Sequence, residues 1–66
     1  MTITVNGESR ETGEGSTLTT LLDELGMTGK PVVIELNGEP APASAHASTV
    51  IPPGARIEII TLAAGG

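Results

Sequence analysis

An α+β fold is what this sequence predicts, with one short helix laid across one face of a mixed sheet of four or five strands. Three observations carry that expectation. Leu18, Leu21, Leu22 and Leu25 recur at the spacing of a single helical stripe. The dipeptide Asn-Gly follows a strand-like run twice, at Asn6-Gly7 and Asn37-Gly38, and this is a strong short-range signal for a hairpin. The first and last apolar runs, "TITV" and "RIEIITL", have the densest strand patterning, so they are expected side by side at the centre of the sheet.

In chain order, Ile3 and Val5 alternate with threonines, and Asn6-Gly7 turns the chain because both residues tolerate positive φ. The return segment "ESRET" is polar and offers only Thr12 as a β-former, which makes it an edge strand of open register. "GEGS" interrupts the pattern. Ser16 or Thr17 can cap the helix start, and Gly26 stands where a left-handed residue ends it. "MTGKP" reads as a loop and "VVIELNG" as the third strand with its turn. "EPAPASAHAS" reads as a short extended piece followed by irregular chain or a single turn. Val50 and Ile51 precede a Pro-Pro-Gly turn, and "RIEIITL" is the last strand. Hairpin, helix, strand, irregular crossover and strand, in that order, make a β-grasp. Residues 1–62 are accordingly read as a single β-grasp domain and residues 63–66 as a flexible Gly-Gly tail.

Composition narrows the function. Sixty-six residues without an aromatic or a cysteine must build their core from Leu, Ile and Val, near the lower limit for unaided folding. The net charge is -5, and the three cations Arg10, Lys30 and Arg56 are spread along the chain. That argues against nucleic acid and against an anionic membrane surface, both of which need clustered cations. The apolar runs are too short to cross a bilayer, and the first residues lack the basic start and apolar run of a signal peptide. The expected compartment is the cytoplasm. His46, the only histidine, has no second ligand type at metal spacing and reads as a surface or half-packed side chain. Glu8, Glu11 and Glu14 read as a solvated face, and Asp23 and Glu24 as the polar side of the helix. With no phosphate-cradling glycine loop, no cysteine nucleophile and no base–nucleophile pair, the chain is expected to be no enzyme and to bind neither cofactor nor metal.

Parity along the strands sorts the remaining apolar residues. Ile57, Ile59 and Thr61 share one face of the last strand, and Arg56, Glu58, Ile60 and Leu62 share the other. The charged pair marks the second face as wet, which leaves Ile60 and Leu62 on the solvent side. In the third strand Val32, Ile34 and Leu36 go with the helix while Val33 and Glu35 face out. If the two strands are neighbours, Val33, Ile60 and Leu62 form an apolar patch at the root of "AAGG". Ala63, Ala64, Gly65 and Gly66 form an arm almost without side chains, able to thread a narrow channel and present the least hindered acyl group a protein can offer. A carboxylate is a poor electrophile, so use of that group requires prior activation, for which adenylyl transfer from ATP is suited.

"TVNGE", "GSTLTTLLDELG", "VVIELNGE", Pro42, "RIEII" and the terminal "AAGG" together resemble, nearly end to end, the ubiquitin-like sulfur carriers, especially the thiamine-thiazole (ThiS) type. The resemblance implies a cycle on Gly66. An E1-like adenylating enzyme, using ATP and Mg²⁺, makes the acyl-adenylate; a cysteine desulfurase relay supplies sulfur; the resulting thiocarboxylate donates it to thiazole synthase. In the related MoaD-like branch the sulfur goes to the molybdenum cofactor. The carrier is expected to be a monomer when free. The chain departs from the family where an arginine often follows the proline matching Pro42 and a bulky residue comes a few places later: here stand Ala43 and His46. An acidic residue commonly flanks the glycine that here lies in "PPGA", and Leu62 replaces a frequent aromatic. These changes leave Gly66 untouched and bear on the choice of partner. A ubiquitin-like modifier of lysines, and a non-covalent binding module whose tail is incidental, remain alternatives at this stage.

Overall fold

The computed structural model describes residues 1–62; the expected tail, with Ala63, Ala64, Gly65 and Gly66, lies outside the described residues. The elements are β1 (Thr2–Val5), β2 (Glu8–Glu11), α1 (Leu18–Glu24), β3 (Val32–Leu36), β4 (Glu39–Ala41), a 3₁₀ turn over Ala43–Ala45, and β5 (Arg56–Thr61). They form one five-stranded sheet in the order β2-β1-β5-β3-β4, with β1 and β5 parallel and every other pair antiparallel. This is the β-grasp arrangement, and its last strand is central.

Each Asn-Gly pair turns its hairpin with both residues at positive φ, 50° and 83° at Asn6-Gly7 and 51° and 84° at Asn37-Gly38. Those signs suit a two-residue turn whose twist matches the strands. The first hairpin fixes the register left open by the sequence, pairing Thr2 with Glu11 and Val5 with Glu8. Both sheet edges resist further pairing: β2 is charged, and β4 is three residues long with Pro40 at its centre, which has no N–H to donate.

Thr17, not Ser16, caps α1, accepting a bond from the Thr20 N–H at 3.2 Å. At the other end the Met27 N–H reaches the Leu22 carbonyl at 2.8 Å and the Gly26 N–H reaches that of Asp23 at 3.1 Å, with Gly26 at φ 73°. That is a Schellman ending. Leu18, Leu21 and Leu22 join Ile3, Ile34, Ile51, Ala55, Ile57 and Ile59 in the buried core. Leu25, the fourth member of the stripe, is only partly buried, because it stands at the rim of an open depression of about 300 Å³ that it shares with Met27, Val5 and Arg10. Ile51 is buried, whereas Val50 bridges to Thr17 and stays exposed.

His46 differs from expectation, while Glu24 and Glu11 are exposed as expected and add hydrogen bonds to that role. His46 is buried at 7% exposure, and its Nε2 donates to the Ala41 carbonyl at 2.9 Å. The surrounding Ala/Ser-rich segment shows no periodicity in sequence, yet the ring ties the end of β4 to the crossover. Glu24 does more than solvate the helix, since it accepts a bond from the buried Thr12 hydroxyl at 2.9 Å. Glu11 is likewise more than a solvated charge: it accepts from the Thr2 hydroxyl and lies 3.6 Å from the Met1 amine.

Candidate functional site

The candidate site is the outer face of β3 and β5, the latter being the strand that precedes residues 63–66. Antiparallel register sets Val33 opposite Ile60, Glu35 opposite Glu58, and Ile34 opposite Ile59. Alternation then divides one strand into two environments. Ile59 is 6% exposed beneath the helix, while Ile60 is 54% exposed on the reverse face. Val33 and Leu62, at 42% and 53%, are exposed as well. The Leu62 N–H donates to the Pro31 carbonyl at 3.0 Å, so the antiparallel pairing runs one step past the named strands. Pro31 has no N–H to return the bond, and the ladder stops there.

The structure thus brings together Val33, Ile60 and Leu62, three of the residues singled out from parity. Ala63, Ala64, Gly65 and Gly66 lie outside the described residues. Sequence reasoning missed Pro31, which lies across from Leu62 and is exposed, because "MTGKP" reads as a loop. Carrying the strand alternation two positions back from Val33 would have placed it on the same face.

The root of the tail is held firmly. β5 pairs with β1 on one side and β3 on the other, and Asn6 extends the first pairing after β1 has ended. Its side-chain Oδ1 accepts from the Ile59 N–H at 2.7 Å and its Nδ2 donates to the Ile59 carbonyl at 3.1 Å. The Asn37 Oδ1 accepts from the Arg56 N–H at 2.8 Å on the opposite edge of β5. Both turn residues therefore brace the strand that bears the patch. Sequence reasoning assigned them to turns only.

The chemistry available here is contact. Burying three half-exposed aliphatic side chains against a partner would contribute about 1 kcal/mol each. Among the described residues there is no group of three or more His, Cys, Asp or Glu side chains placed to hold a metal ion. No helix among them is long and apolar enough to cross a membrane.

Comparison with known proteins gives a consistent set of likenesses. A family model described as the ThiS family matches residues 3–66. The thiazole synthase of Paramagnetospirillum magneticum is 35% identical over 66 residues. That alignment takes in 100% of this chain and 20% of the relative, so the chain spans only a fifth of that protein's length. A crystal structure of the thiamine biosynthesis protein ThiS from Geobacter metallireducens superposes with a TM-score of 0.84 at 32% identity, covering 100% of both chains. A solution structure of a thiamine biosynthesis protein from the same organism gives 0.79 at 32% identity, covering 100% of this chain and 88% of that one.

Proposed function

The chain belongs to the ThiS family of ubiquitin-like sulfur carriers, and from that premise we propose that it carries sulfur for thiamine thiazole biosynthesis on the carboxylate of Gly66. The observation that carries the proposal is the exposed Val33–Ile60–Leu62 face at the base of "AAGG", set on a strand paired along both edges. A partner that grips this face can take the following residues into its own active site.

The cycle follows from the reactivity of a glycine carboxylate. An E1-like adenylating enzyme, with ATP and Mg²⁺, transfers AMP to Gly66 and releases pyrophosphate. A persulfide from a cysteine desulfurase relay attacks the acyl carbon and displaces AMP, leaving an acyl disulfide. A second thiol cleaves that disulfide, leaving the thiocarboxylate and a new disulfide elsewhere. The thiocarboxylate is ionised at neutral pH and is a soft nucleophile, suited to delivering sulfur to thiazole synthase. Ala63, Ala64 and Gly65 serve by bulk alone, since methyl groups and hydrogens pass through a channel that larger side chains would block. The chain has no cysteine that could intercept the activated acyl group.

The name of the Paramagnetospirillum magneticum relative supports thiazole synthase as the recipient, because a region like this chain makes up a fifth of a protein so named. The thiamine reading also accords with the names of the Geobacter metallireducens structures.

The test compares the wild-type chain, a chain lacking Gly66, and a chain whose terminal carboxylate is a carboxamide. Each is incubated with the E1-like enzyme, ATP and Mg²⁺, and pyrophosphate release is followed. Only the wild type is expected to support release, with all three giving the same far-UV circular dichroism. Undiminished release with the carboxamide would refute the proposal.

A further inference from the structure

We infer that the outer face of β3 and β5 is built to receive a partner protein that seats an arginine between Glu35 and Glu58 while covering Val33, Ile60 and Leu62; this rests on the carrier reading above and names the chemistry of the partner's docking surface. The register sets Glu35 and Glu58 directly opposite each other on adjacent strands. Both belong to the outer face by parity, and both are half-buried. Side chains so placed have Cβ atoms about 5 Å apart, and like charges there oppose folding.

No cation among the described residues stands within ion-pairing distance of Glu35 or Glu58. Among the described residues the one ion pair joins the Met1 amine to Glu11, at the far edge of the sheet. Arg56 lies two residues before Glu58 on the same face, yet its guanidinium leans over the β3–β4 turn. There its Nη2 stands 3.8 Å from the position a Cβ on Gly38 would occupy. The next pair on the same face of these two strands is Val33 and Ile60, so two carboxylates adjoin the apolar patch.

Charge complementarity fixes the occupant. A planar guanidinium can bond to two carboxylates at once, and it is the cation most readily taken out of water at an interface. The apolar patch beside it would meet aliphatic or aromatic side chains of the same partner. A cation seated between the two carboxylates offsets the like-charge opposition of the pair, so binding favours the partner that brings it.

The experiment measures binding of the intact chain to the E1-like adenylating enzyme by calorimetry, alongside pyrophosphate release and melting by far-UV circular dichroism. Glu35→Gln and Glu58→Gln are each expected to raise Kd and KM about tenfold, with kcat within about twofold. Both are expected to melt at or above the wild-type temperature, which a merely structural role would not combine with weaker binding. The wild-type Kd should rise more steeply with salt than that of either variant. Glu14→Gln, the same charge change on a distant loop, should leave Kd within about twofold. An unchanged Kd in the β3 and β5 variants overturns the inference, as does an equal effect of Glu14→Gln. Stabilisation of the wild type by added Ca²⁺ that is lost in the double variant would replace the arginine by a metal ion, and self-association of the free chain in sedimentation would replace the partner by a second copy. If the wild type binds yet releases no pyrophosphate, it is the carrier reading that has failed, and the docking result still stands or falls on Kd.

Discussion

Asn6 and Asn37 occupy equivalent places in the two hairpins, yet their side chains do different work, and a single atom separates them. Asn6 both accepts from and donates to the backbone of Ile59, whereas Asn37 accepts from Arg56. Replacing the amide by a carboxylate keeps the acceptor and removes the donor. Asn6→Asp is therefore expected to lower unfolding stability by about 1–3 kcal/mol, because it sets a carboxylate against the Ile59 carbonyl. Asn37→Asp should change it by less than about 0.5 kcal/mol. Urea titration followed by circular dichroism reads both, since the chain has no aromatic residue for fluorescence. The turns themselves were legible in the sequence because Asn-Gly is a local signal. The braces were not, because the Asn6 contact crosses fifty-three positions of chain. His46 escaped for a different reason: its partner, the Ala41 carbonyl, is near in sequence but is a backbone group that no residue type announces. At Glu11 the Thr2 hydroxyl holds the carboxyl below the usual glutamate pKa, with the Met1 amine adding to the effect. A lowered folded-state pKa gives stability that is present above the unfolded value and lost as pH falls through the folded one. The stability difference between wild type and Glu11→Gln should accordingly be constant near neutrality and disappear under acid conditions, read by urea titration across pH.

Among the elements, α1 and β5 show why some boundaries could be read and others could not. Gly26 ends α1 at positive φ, and a Cβ built there meets nothing within 4 Å. Gly26→Ala should therefore cost only the backbone penalty, about 1–2 kcal/mol, with no loss from packing. A markedly larger loss in urea titration would mean that the glycine serves a close contact instead. The leucine stripe identified the helix and its buried side, but Leu25 packs at the edge of the core where it lines the open depression, and periodicity carries no information about where coverage ends. β5 was legible to the level of single faces, because alternation is strict and Arg56 and Glu58 mark the wet side. Ile60→Asp is therefore expected to cost about 1–2 kcal/mol, from lost strand propensity and a carboxylate added beside Glu58, without the larger loss of a core position. The same substitution should raise KM in the pyrophosphate assay by at least about tenfold, as loss of a half-buried anchor at an interface would. Unfolding of that variant would instead place Ile60 in the core.

For the molecule as a whole, a central strand braced on both edges precedes the small residues 63–66 in sequence, and the proposed division of labour follows from that order. The sheet edges resist strand addition by charge and by Pro40, which leaves the outer face of β3 and β5 as the surface we propose for recognition. The fold was legible because each element carries its own local pattern and the order of the elements admits few topologies. The patch was legible once two strands were set side by side. The opposition of Glu35 and Glu58 was not, since it depends on register, which neither strand specifies alone. In the account proposed here partner choice rests on such surface detail, whereas the reacting group depends only on the acyl carbon of Gly66. The most direct measurement of that claim is intact mass of the chain after incubation with the E1-like enzyme, ATP, Mg²⁺ and a cysteine desulfurase supplied with cysteine. One oxygen replaced by one sulfur, with fragmentation placing the change on Gly66, is the predicted result. An unchanged mass under conditions where a known ThiS protein is converted, or sulfur located anywhere but Gly66, would contradict it.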